Sequence, residues 1–131
     1  MHCGDIGDAT VISRLSACAP LSVVRGNNDL ENIWCADERE ILVSIPWELE
    51  LDLPGGRLGV CHGHQEPSVP KRHAYLRNTF SDCRGVAYGH SHELVIDEDD
   101  ADCLVVNPGA AGRARTNGGP SCLILDAKPD H

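Results

Sequence analysis

The pentapeptide Tyr88-Gly89-His90-Ser91-His92 constrains this chain more than any other stretch. The apolar run Val86-Ala87-Tyr88 leads into it and Leu94-Val95-Ile96 leads out. The pattern predicts a strand, a tight glycine-started loop carrying two imidazoles, and a second strand. Histidines one residue apart on a loop can turn both rings to one point, and neutral imidazole is the commonest protein metal ligand. A second apolar run, Leu58-Gly59-Val60-Cys61, ends the same way, in His62-Gly63-His64. In a chain with seven histidines, two strand ends that each present His-x-His argue for a metal centre at the tips of several strands.

The remaining elements can be placed around those two runs. Gly4-Asp5 is a turn near the start, and Val11, Ile12 and Leu15 recur at helical spacing between Asp8 and Ala17, with Asp8 as N-cap. Leu21-Ser22-Val23-Val24 reads as a buried strand ending at Arg25-Gly26-Asn27-Asn28-Asp29. The sequence thus predicts a βαβ unit with its polar residues at the carboxyl edge, where open α/β sheets place ligands. Leu30 to Glu40 reads as a short helix with loop. Trp47 to Leu53 alternates as a half-buried strand should, Pro54-Gly55-Gly56 turns, and Arg57 to Cys61 returns as a hairpin arm. Val69, His73, Leu76 and Phe80 mark a helix, and Gly85 to Tyr88 the next strand. Leu94 to Ile96 and Cys103 to Val106 flank an acidic turn; Asn107-Pro108-Gly109-Ala110-Ala111-Gly112 is a backbone-rich loop; Cys122 to Leu125 is a last strand.

Length and composition exclude several classes. The 131 residues suffice for one domain, here 1–131, with a real core. No apolar run approaches the roughly 18 residues of a membrane span, and no charged-then-apolar leader is seen, so no membrane association is expected. The net charge of −9 opposes extended contact with a nucleic-acid backbone but not with a small phosphate ester at a metal. The seven cysteines are evenly spread with no Cys-x-x-Cys, which predicts free thiols in a reducing cytoplasm. Self-association is compatible with all of this.

Five strand-end motifs in this order, Gly4-Asp5, Gly26-Asn27-Asn28-Asp29, His62-Gly63-His64, Gly89-His90-Ser91-His92 and Asn107-Pro108-Gly109, resemble the calcineurin-like metallophosphoesterase superfamily, in particular its small single-domain phosphodiesterase branch. The resemblance implies an α/β fold of two packed mixed β-sheets flanked by helices, an αββα sandwich. It implies that Asp5 bridges two metals, that Asn27, His62 and His90 complete the second metal's ligands, and that His92 serves the first. Such a donor set suits a borderline divalent ion, Mn²⁺ foremost, with Fe²⁺, Zn²⁺ or Ni²⁺ as alternates. A pair of ions would bind a small phosphate ester or diester and activate a water for attack. His64 is open to ligation, second-shell support or substrate contact. Amides near Gly109 are candidates for holding phosphate, with Arg113 or Arg115 matching its charge. His2, His73 and His131 are expected to be ordinary.

Two departures qualify the resemblance. The third residue of the Gly-Asn-x-Asp motif is Asn28, where many members carry a histidine that protonates the leaving group; the small phosphodiesterase branch tends to lack it too. The strand ending in Asp-x-His and its following helix, which supply two first-metal ligands in the family, are not in these 131 residues, so the fold is expected to be N-terminally truncated. At most one metal and slow hydrolysis are therefore expected of this chain, with an N-terminally extended version recovering activity. The alternative to an enzyme is a non-catalytic scaffold keeping the fold, as in a retromer-coat subunit of the same superfamily.

Overall fold

The structure is a computed structural model and describes residues 1–99, 102–112 and 117–129. Its centre is a mixed five-stranded sheet of β1 (Glu48–Leu53), β2 (Gly56–Cys61), β3 (Gly85–Ala87), β4 (Leu94–Asp97) and β5 (Leu104–Pro108), in the order β1-β2-β3-β5-β4. The two outer pairs are antiparallel, and β2, β3 and β5 run parallel. β2 and β3 are joined by the crossover helix α3 (Val69–Thr79), so both strands deliver their carboxyl ends to one edge. That edge is where His62 and His90 emerge. The ladder continues past the strands, Gly89 N–H donating to the His62 carbonyl and Tyr88 N–H to that of Val106, which aligns the three loops.

Alternation along the strands divides the core into two faces. Cys61, Val86, Tyr88 and Val105 pack with Leu76, Phe80, Cys83 and Cys103 beneath α3. Leu58, Val60 and Ala87 face the other way and meet Val24 and Cys3. Beyond Val24 a third cluster, Ile6, Trp34, Leu42 and Ile45, is closed by Ile12 of α1 (Ala9–Ser16) and Leu42 of α2 (Arg39–Ser44). The layering is helix, sheet, thin second layer, helices. Asp8 caps α1 as the sequence predicts, accepting from the Thr10 and Val11 amides.

Two expectations are corrected. The second sheet is reduced to one isolated parallel bridge, His2 with Val23, made by the His2 amide to the Ser22 carbonyl and the Val24 amide to the His2 carbonyl, beside which Arg25 N–H donates to the Pro46 carbonyl. The βαβ unit is there in outline, its two segments meeting only at that one bridge. Cys122–Leu125 forms no strand among the described residues. Its alternation has no ladder to join, and Ile124 is 95% exposed.

Candidate metal centre

Four of the five strand-end motifs converge. His62, 2% exposed, directs Nδ1 at the Cys3 carbonyl at 2.7 Å. A carbonyl only accepts, so Nδ1 carries the proton and Nε2 presents a lone pair. Around Nε2 stand Asn27 Oδ1 at 3.1 Å, His90 Nδ1 at 3.3 Å and Asp5 Oδ1 at 3.4 Å. Two oxygen acceptors thus close on a nitrogen whose own lone pair faces them. That convergence is unfavourable by itself and favourable around a cation. Two donors about 2.1 Å from one ion stand about 3.0 Å apart at a right angle and about 3.4 Å apart at a tetrahedral one, the span seen here. The donor set fits a divalent metal. No three His, Cys, Asp or Glu groups among the described residues are already closed around one point, and Asn28 engages both Asp5 oxygens.

Asn28 donates its backbone N–H to Asp5 Oδ1 at 3.0 Å and its side-chain amide to Oδ2 at 2.7 Å. Burial raises the Asp5 pKa, but the nearby His62 imidazole and the two hydrogen bonds from Asn28 outweigh it and hold the carboxyl well below the usual range. Asn28 therefore serves Asp5 first. Burial, and then the neighbouring His62, lower the pKa of His64 and His90, so both rings stay neutral and available as donors. Burial pushes the Cys3 thiol up to about 11 and that of Cys61 up to about 12, which excludes them as thiolates near neutrality. All seven cysteines are free.

The site is held by residues that sequence reasoning left without a role. Asp29, 1% exposed, accepts from the Ile6, Gly7 and Gly26 amides at 2.8, 3.3 and 2.7 Å and ties the Asp5 turn to the Asn27 turn. A Cβ on Gly26 would lie 2.1 Å from Asp5 Oδ1, so only glycine lets the two turns approach this closely. Asn107, fully buried, donates to the Gly89 carbonyl at 2.7 Å and to Ser91 Oγ at 3.0 Å, fixing the His90 loop. The signal for Asn107 was a polar residue ending the apolar run Leu104-Val105-Val106.

His64 packs its ring 5.5 Å from His62 and 6.2 Å from His90, with Nδ1 buried and no partner among the described residues. His92 lines an open cleft of about 370 Å³ with His90, Ser91 and Asn117. The Gly109 amide does not offer itself to a phosphate, since it donates to Asn107 Oδ1 at 2.9 Å. Arg113, Arg115 and His131 fall outside the described residues. His73 stands apart on α3, donating to Asp97 and facing the Tyr88 hydroxyl at 2.9 Å.

The sequence profile of the calcineurin-like phosphoesterase superfamily domain matches residues 1–130. The chain belongs to that superfamily. It is 31% identical over 133 residues to a phosphodiesterase of Methanocaldococcus jannaschii, spanning 98% of this chain and 75% of the relative. The fold resembles vacuolar protein sorting protein 29 of Chaetomium thermophilum, with a TM-score of 0.68, 26% identity, and coverage of 88% of this chain and 58% of that one. It also resembles the Entamoeba histolytica form solved with Zn²⁺, with a TM-score of 0.61, 21% identity, and coverage of 90% and 59%. This chain spans less than two-thirds of either solved relative. As a superfamily member it belongs with proteins that use divalent metals, and no helix among its described residues is long and apolar enough to cross a membrane.

Proposed function

We propose that this protein is a metal-dependent phosphoesterase that hydrolyses a small phosphodiester. The observation that carries this reading is the convergence of Asp5, Asn27 and His90 on the lone pair of His62. A divalent ion held by these four residues, Mn²⁺ in our reading, supplies a Lewis acid for the phosphoryl oxygens and a water of lowered pKa. The protein's own residues prepare the rest. Cys3 fixes the His62 tautomer, Asp29 and Asn107 hold the ligand loops, and Asn28 sets the Asp5 carboxylate. In our reading His92 would help to hold a second ion together with Asp5, His64 would touch substrate, and Arg113 would match the phosphate charge. In hydrolysis the water oxygen bonds phosphorus, the ester P–O bond breaks, and the leaving oxygen takes a proton from solvent. Asn28 cannot supply that proton, so esters with good leaving groups should turn over best. In our reading the protein works in a reducing cytoplasm, which the free thiols support.

A second reading, a scaffold without turnover, is favoured by the likeness to vacuolar protein sorting protein 29. Because one such relative was solved with Zn²⁺, metal binding alone does not separate the two readings. The test is metal content by mass spectrometry together with Mn²⁺-dependent hydrolysis of bis(p-nitrophenyl) phosphate, in the parent and in His90→Ala. The enzyme reading expects slow hydrolysis that falls at least about ten-fold with His90→Ala, alongside lost metal. Metal binding with no hydrolysis supports the scaffold; no metal binding by the parent refutes the centre.

A further inference from the structure

Beyond the imidazole cluster the wall of the site continues into an aromatic group that the metal chemistry does not use. Trp47 lies with its ring centroid 6.0 Å from that of His64, tilted by 50°. The guanidinium carbon of Arg25 stands 5.3 Å from the indole centroid. Arg25 is itself fixed, its Nε donating to the Ile45 carbonyl and its backbone N–H to that of Pro46, both at 2.8 Å. Its terminal nitrogens make no hydrogen bond among the described residues. Trp47 is therefore propped rather than loose, yet 44% of it remains exposed, while Trp34 is 4% exposed in the core. A held indole left in water beside a cluster of donor groups is a stacking platform.

The placement selects what would stack there. His64 connects Trp47 to the donors, its ring 5.5 Å from His62 and 6.2 Å from His90. A phosphodiester seated at the donors would carry one ester substituent past His64 towards the indole. A flat aromatic substituent gains from stacking there, and the neighbouring guanidinium adds cation–π attraction. The net charge of −9 disfavours a long polyanion, so the ligand is small.

We propose that Trp47, propped by Arg25, is the subsite for the nucleobase of a small nucleotidyl phosphodiester. The inference rests on the phosphodiesterase reading for turnover, but base binding can be read without it. Trp47 fluorescence is the first probe. Adenosine 5′-monophosphate should quench it saturably, ribose 5-phosphate should not, and Trp47→Leu should abolish the response and leave only Trp34 emission. Equal quenching by both phosphates, or none by either, overturns the subsite. The second probe is the ratio of kcat/KM for thymidine 5′-(p-nitrophenyl phosphate) over methyl p-nitrophenyl phosphate, which share a leaving group. Trp47→Leu should lower that ratio about ten-fold, the scale of one base stack. An unchanged ratio means a structural role only and overturns the proposal. If neither ester is hydrolysed while base-specific quenching persists, the phosphodiesterase reading fails and the subsite stands.

Discussion

Gly26→Ala should cost metal affinity more than it costs stability, and the structure says why. The added methyl would lie 2.1 Å from Asp5 Oδ1 and 2.3 Å from the Asp5 nitrogen. To reach ordinary contact distance the Asp5 turn must retreat by about 1 Å or more, a movement typical of an overpacked core costing about 1–3 kcal/mol. The same retreat pulls Oδ1 from its 3.0 Å bond with the Asn28 amide and out of reach of His62 Nε2. Losing one carboxylate of four donors should weaken Mn²⁺ binding by at least about ten-fold. Gly7→Ala is the control. Nothing lies within 4 Å of its new Cβ, but its φ of +97° makes any side chain strained there. It should therefore lose about 1 kcal/mol of stability and leave metal affinity unchanged. Urea denaturation of the metal-free proteins and calorimetric titration with Mn²⁺ measure both quantities. Wild-type Mn²⁺ affinity in Gly26→Ala, or an equal affinity loss in Gly7→Ala, would refute the reasoning.

Asp29→Ala leaves three amide hydrogens without their acceptor in a buried turn, and should cost about 3 kcal/mol or more in urea denaturation at pH 7. A loss below about 1 kcal/mol would contradict its role as the tie between the two turns. Asp97 offers a pH test on the far side of the sheet. The hydrogen bond from Arg77 at 2.8 Å, then those from the Asp99 amide and His73, outweigh burial and hold its carboxyl at about 2. A depressed carboxyl stabilises the fold above its unfolded value near 3.8, and that contribution is lost as pH falls from there towards about 2. Asp97→Asn should thus remove on the order of 1–2 kcal/mol at pH 6 and flatten the decline in stability between pH 4 and 2. A parallel decline in parent and variant would rule the pairing out.

The parts of the site legible in the sequence are those that end strands. Leu58–Cys61 and Val86–Tyr88 are apolar runs long enough to place His62 and His90 at one edge. Parallel pairing across α3 then brings the rings together. What was not legible depends on contacts between distant turns. Asp29 sits in a motif already singled out, yet its three amide partners lie up to 23 positions away, and no local pattern points to them. Trp47 opens an alternating strand and reads as a strand residue; its neighbours Arg25 and His64 meet it only through the fold. The Gly109 amide shows a similar limit, since a loop amide is free only if nothing nearby accepts from it, and Asn107 does. Cys122–Leu125 shows the reverse error. Alternation states what a strand would bury, but a strand needs a neighbour to bond.

Backbone strain gathers where the chemistry is proposed. Among the described residues, the non-glycine residues with positive φ are Asp5 at 55°, His90 at 67° and His92 at 60°. Each left-handed residue costs on the order of 1 kcal/mol and persists only if its surroundings over-determine it. For Asp5 those surroundings are the close approach of Gly26 and the three amides that Asp29 gathers. For His90 and His92 they are the bonds from Asn107 to Gly89 and Ser91, with the Ser91 amide closing on the Gly89 carbonyl at 2.8 Å. Two turns that would relax alone are held open so that a carboxylate and an imidazole reach His62 Nε2. Glycine would carry such turns at the least cost, even though aspartate and histidine enter this region more readily than most residues. That histidine and aspartate stand there instead argues that the side chains, not the turns, are what the strain is kept for.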